Sequence, residues 1–155
     1  MRDGIAGTAL PVQFPYKAII EQVAFNNKVS PVLVAAIKMN ETGLGHGPET
    51  ENDVSFDGGR GIMQLTSSWQ DPWEDPFTNI DYAVEHFIVP AWTYWASQGL
   101  QGDDLVRAIA ATYNAGLGNA IAGHRNGNVD EFTTNNYGAR ALVNYRNLRD
   151  GIMTS

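Results

Sequence analysis

The run Ser30-Pro31-Val32-Leu33-Val34-Ala35-Ala36-Ile37-Lys38-Met39-Asn40-Glu41-Thr42-Gly43 carries its own start and stop signals. The Ser30 hydroxyl can accept an orphan N–H of the first turn, and Pro31 loses nothing at the first helical position. Gly43 can take the positive φ that closes a helix. At about 100° per residue Leu33, Val34 and Ile37 share one side, and Glu41 falls at the end of that stripe. A carboxylate there is expensive to bury as an anion. It is therefore solvent-exposed in the last turn, paired with a cation such as Lys38, or held neutral for proton transfer.

On the N-terminal side, Pro15 suits the first turn of a preceding helix, with Ile19, Ile20, Val23 and Ala24 at spacings of three and four through Asn27. Residues 1–14 lack periodicity and read as an irregular arm before a single folded unit, residues 15–155. Residues 44–60 are rich in Gly, Asp, Glu and Asn and read as a long loop; Gly61 to Leu65 reads as a short strand. Asn79 is expected to cap a helix from Ile80 to Gln98 that Pro90 kinks or splits near Val89, with Gly99 as its end. Asp103 is expected to cap the next helix, which presents Leu105, Ile109, Thr112 and Tyr113 before Gly116 stops it. After a Gly- and Asn-rich link, Tyr137 to Arg149 has helical spacing through Ala141, Leu142 and Tyr145. The expected fold class is mainly α in a single domain, with at most a small β element.

Composition narrows the functions. The 155 residues, 43% of them hydrophobic, suffice for one domain with a full core. Cysteine is absent, which excludes disulfides, thiolate metal sites and thiol nucleophiles. A net charge of −7 argues against a nucleic-acid partner. No apolar run approaches the ~20 residues of a membrane span, and the first ten residues lack the hydrophobic core of a signal peptide. His46, His86 and His124 have no paired metal-ligand spacing. Asp53, Ser55, Asp57 and Gly58 copy the first half of a calcium loop, but the twelfth position is Gln64, which cannot supply the bidentate carboxylate. Neither a cofactor nor a metal is expected.

Three segments carry chemistry together: Glu41-Thr42; Ser55 leading into Gly59-Arg60-Gly61-Ile62-Met63-Gln64; and Ala111-Thr112-Tyr113-Asn114-Ala115-Gly116. In order and spacing they resemble the motifs of soluble lytic transglycosylases and the related goose-type lysozymes, over roughly residues 20–148. The resemblance implies a lysozyme-like catalytic domain over residues 15–155 that cleaves the MurNAc-β-1,4-GlcNAc bond of peptidoglycan glycan strands with formation of 1,6-anhydroMurNAc. Glu41 would be the catalytic acid and base. Thr42, Ser55, Gly61, Ile62, Met63, Gln64, Tyr113, Asn114 and Tyr137 would bind substrate or support the acid. On chemistry alone Met63 better suits a core and Gln64 a surface amide, while the tyrosines equally suit packing with their hydroxyls satisfied.

Two positions depart from the family pattern. Thr42 stands where transglycosylases usually have serine, and keeps the hydroxyl. Ser55 stands where goose-type lysozymes place an aspartate, which favours transglycosylation. Asp53 and Asp57 flank it as possible second carboxylates, so a hydrolytic goose-type muramidase is the alternative. An inactive glycan-binding or structural phage component is a further one. The resemblance implies action in the periplasm or cell wall. The missing signal peptide fits a phage lysin, a virion-borne lytic protein or an excised enzyme domain, and a monomer is expected.

Overall fold

The computed structural model describes residues 2–66 and 69–153; Met1 and Ser155, the ends of the two expected ranges, lie outside them. The chain is mainly α, and its described helices bury one continuous core. At its centre is α2, Pro31–Thr42, in which Val32 to Met39 are all buried. The helix is therefore enclosed on every side and not merely along the stripe of Leu33, Val34 and Ile37. Ser30 caps it as its sequence dictates, with Oγ accepting from Leu33 N at 3.2 Å, and Gly43 closes it at φ 62°.

The other elements wrap this rod. α1, Lys17–Asn27, packs against α2. It starts two residues after Pro15, because Tyr16 takes φ 59° and breaks the helical path; its hydroxyl reaches over to Gly47 N at 2.6 Å. The irregular arm is not peripheral: Ile5, Leu10 and Phe14 are buried, and Tyr145 Oη accepts from Ala6 N at 2.7 Å. The long loop contains one short helix, α3, Pro48–Glu51.

The expected strand at residues 61–65 is a turn. Gly61 at φ 73° and Gln64 at φ 50° are incompatible with extended backbone. Only an isolated antiparallel bridge joins Arg60 to Leu65, beside a second from Val54 to Arg60. The cap of the next helix is also corrected. Asp75 caps α4, Pro76–Ala83, by accepting from Thr78 N at 2.9 Å, with Pro76 in the first turn.

Asn79 lies inside α4, buried, and its amide binds the turn: Oδ1 accepts from Met63 N at 2.8 Å, and Nδ2 donates to the Arg60 and Trp73 carbonyls at 3.0 Å each. Gly61 is required beside it, since a Cβ there would sit 2.4 Å from Asn79 Nδ2. Asn79→Ala strands these buried main-chain groups. It is expected to cost about 2–4 kcal/mol in urea unfolding; a loss below about 0.5 kcal/mol, the range of neutral surface changes, would show that the amide does not hold the turn.

Pro90 does not split its helix. One turn of π-helix, Val84–Ile88, links α4 to α5, Val89–Ser97, with Val89 N–H donating to the Val84 carbonyl. The wider turn just before the ring accommodates the proline that an α-helical path would clash with. α6, Gly102–Ala115, begins without a side-chain cap; Asp103 sits in its first turn and instead accepts from Arg146 Nε at 2.9 Å. The expected link after Gly116 contains another helix, α7, Leu117–Arg125, whose Leu117, Ala120 and Ile121 are spaced for one face despite the Gly and Asn content. α8, Tyr137–Arg149, spans the expected residues and packs on both α2 and α6. Among the described residues no helix is long and apolar enough to cross a membrane.

Candidate functional site

The packing of α8 on α2 brings Glu41 and Tyr137 together. Asn40 Nδ2 donates to the Tyr137 carbonyl at 3.0 Å, and Asn144 Nδ2 bridges to Asn40 Oδ1 at 3.0 Å and the Ala36 carbonyl at 3.2 Å. With the two backbones fixed, the buried Tyr137 hydroxyl donates to Glu41 Oε2. On the other flank Thr42 Oγ1 donates to the Ile62 carbonyl at 2.9 Å and ties the end of α2 to the turn. Tyr113, from α6, donates to the Met63 carbonyl at 2.5 Å and meets Phe87 edge-to-face with ring centres 6.1 Å apart. Three helices and one turn thus converge on the acid.

Glu41, Asp57, Gln64, Tyr113 and Asn114 line one cleft, closed by Leu65, Thr66 and Phe87. Its cavity measures about 90 Å³ and opens to solvent at its mouth. Burial pushes the Glu41 carboxyl up to about 7. The Tyr137 hydrogen bond and the positive charge of Arg140 pull it down, while the negative charge of Asp57 pushes it further up. A carboxyl so placed holds its proton into the neutral range and can release it to a bound acceptor. Lys38 is not its partner: the buried ammonium turns to the Gly43 and Gly45 carbonyls at 2.8 and 2.7 Å, and burial lowers its pKa to about 8.

Of the two aspartates flanking Ser55 in the acidic loop, Asp57 lines the cleft. Ser55 Oγ and Gly59 N both donate to Asp57 Oδ1, which holds the carboxyl below its usual range. Gly59 leaves room for these side chains, because a Cβ there would sit 2.7 Å from Gln64 Oε1 and 2.8 Å from Ser55 Oγ and make them shift. Asp53 plays a different part, since its Oδ2 accepts from Gln64 Nε2 at 3.1 Å and so fixes the amide at the cleft. The half-copied calcium loop is thereby divided into two separate jobs. Among the described residues no three acidic or histidine side chains gather as a metal site.

Several expected contacts need correction. Gly61, Ile62 and Met63 are buried, so the Met63 thioether packs in the core and contributes to the site through its main chain. Thr42 points at the turn and not into the cleft, and Ser55 acts through Asp57. Sequence reasoning missed Leu65, Thr66 and Phe87 on the cleft wall and Asp130 behind it. Asp130 Oδ1 accepts from Gly138 N at 2.7 Å and Oδ2 from Ala139 N at 3.0 Å, which anchors the helix start that carries Tyr137. Nothing local in the Asn-rich segment around Asp130 marks it as buried. No family model and no curated protein matches the chain.

Proposed function

We propose that this protein is a lytic transglycosylase that cleaves the MurNAc-β-1,4-GlcNAc bond of peptidoglycan strands, with Glu41 acting first as acid and then as base. The observation that carries the reading is a single cleft carboxyl raised to about 7 and hydrogen-bonded by a buried tyrosine. Glu41 protonates the bridging oxygen as the bond from the muramic C1 breaks, and the substrate's own acetamido oxygen closes on C1 to stabilise the cationic centre. The Glu41 carboxylate then removes the proton of the muramic 6-hydroxyl, whose oxygen attacks C1 and releases the acetamido group. The hydroxyl is already tethered to the reacting ring, so the cyclisation needs no second molecule. Gln64 and Asn114, amides at the cleft, suit acetamido groups because each both donates and accepts.

Asp57 supports a second reading. Its lowered pKa keeps it ionised in the same cleft where Glu41 keeps its proton, and carboxyls pushed apart in this way can divide acid and base roles. In that reading it activates water and the enzyme is a hydrolytic muramidase.

Mass spectrometry of digested cell walls separates the readings. The expected products end in 1,6-anhydroMurNAc and persist with Asp57→Asn. Reducing ends that disappear with Asp57→Asn would establish the hydrolase. Intact walls after prolonged incubation would leave a glycan-binding or structural role.

A further inference from the structure

Arg60 occupies the turn beside the cleft and is used by neither proposed reaction. Its guanidinium carbon lies 3.9 Å from the ring centre of Trp69 and 5.6 Å from that of Trp73. Its Nε is buried without a hydrogen-bond partner. Arg2, Arg107, Arg146 and Arg149 each meet a carboxylate of the protein. Among the described residues Arg60, like Arg125 and Arg140, forms no such ion pair.

A guanidinium stacked on aromatic rings has its faces covered, and with Nε buried here the two terminal Nη groups form the edge that can meet a carboxylate two bonds at a time. The base of this side chain is rigid: Arg60 N donates to the Leu65 carbonyl at 3.0 Å, Leu65 N donates back at 3.1 Å, and Asn79 holds the Arg60 carbonyl. Leu65, across that bridge, lines the cleft together with Gln64 and Thr66. The cleft also presents Glu41 and Asp57, in a chain of net charge −7, so an acidic group on the substrate gains from a cation set beside it.

We propose that Arg60, held by Trp69 and Trp73, is a subsite for a carboxylate of the peptide stem that hangs from the muramic residue. This rests on the peptidoglycan reading above. A stem extends at about 3.3–3.6 Å per residue, so a few residues reach from a sugar in the cleft to the flank of the turn. The protein therefore selects peptide-bearing strands over bare glycan.

The test is calorimetric binding to the Glu41→Gln protein, which leaves the ligand intact. The probes are soluble glycan fragments carrying peptide stems, the same fragments stripped by an amidase, and stem-bearing fragments with esterified carboxylates. Stem-bearing fragments are expected to bind about tenfold more tightly than stripped ones, the worth of one charged hydrogen-bonded contact. Adding Arg60→Gln, or esterifying the stems, closes this gap; Arg60→Lys, which keeps the charge without the flat fork, leaves part of it. The esterified probe decides the matter even if an Arg60 variant fails to fold. No gap, or a gap that survives esterification or Arg60→Gln, overturns the subsite. Wall cleavage by the wild type without a gap sinks the subsite alone, whereas an Arg60-dependent gap without any cleavage sinks the glycosidase reading and keeps the subsite.

Discussion

Replacing Glu41 by glutamine is expected to slow wall clearing by about 10²–10⁴-fold, the range that a positioned general acid contributes, and also to stabilise the protein at alkaline pH. The amide keeps the shape of the side chain and still accepts from Tyr137, but has no proton to deliver. The stability effect follows from the pKa. Below the ordinary value of 4.5 the carboxyl is neutral in the folded and unfolded chains alike and its burial carries no charge cost. As pH rises the unfolded chain ionises first, and by the time pH passes the folded value of about 7 the wild type has lost roughly 2–3 kcal/mol. Glutamine does not titrate, so urea unfolding at pH 5 and pH 8 should show the variant gaining on the wild type between the two. Equal clearing by both proteins, or a stability difference independent of pH, would remove the role given to Glu41. The clearing rate of the wild type should likewise fall as pH rises through about 7, because the acid must be protonated at the start of each turnover.

The second large effect is expected at Asp130, away from the cleft. This buried carboxylate takes four bonds: Gly138 N and Ala139 N at the start of α8, Thr133 Oγ1 at 2.9 Å and Arg107 Nε at 2.7 Å. Burial would raise its pKa, but these partners outweigh burial and hold it below the usual range. Asp130→Ala strands the first N–H groups of α8 and leaves Arg107 without its anion. Leaving a buried hydrogen-bond donor unsatisfied costs about 1–3 kcal/mol, and the Gly138 and Ala139 N–H groups together make this a sizeable part of the roughly 5–15 kcal/mol that stabilises an ordinary domain. Because its folded pKa is depressed, the contribution is present above the ordinary value of 3.8 and is lost as pH falls through the lower folded value. Urea unfolding at neutral pH should therefore show the full loss, and clearing should weaken because α8 no longer presents Tyr137 firmly to Glu41. A loss under about 1 kcal/mol, below the cost of even one stranded donor, would mean that α8 is anchored by packing alone.

Where local chemistry is unambiguous, the chain is readable without coordinates. Ser30, Pro31 and Gly43 define α2 because a cap, a first-turn proline and a closing glycine each act within a few residues. α8 needs only its apolar spacing. Legibility fails where a distant partner decides. Asn79 looks like a cap because asparagine favours caps, yet tertiary packing buries it mid-helix as the clamp of the turn. Gly61 and Gln64 at positive φ make a turn of residues whose apolar run reads as strand. Pro90 predicts a break that the π-turn avoids, and α7 is hidden by glycines and asparagines that suggest a loop.

The site divides in the same way. Glu41, Gln64, Tyr113 and Asn114 reach the cleft, whereas Met63 and Thr42 support it from behind through the main chain or a single hydroxyl. The choice of Asp57 over Asp53 depends on which carboxylate Gln64 and Ser55 each take up, a matter of loop geometry that spacing does not encode.

The catalysis proposed for Glu41 requires its carboxyl to keep a proton to about pH 7. Carbon-13 NMR of side-chain carboxyls through a pH titration reads this out, with the Glu41→Gln protein identifying the resonance. The expected midpoint is near 7, displaced further upward by Tyr137→Phe, which removes the hydroxyl that favours the anion. A Glu41 midpoint near the ordinary 4.5 would mean that the cleft does not shelter the acid, and the proposed chemistry would fall with it.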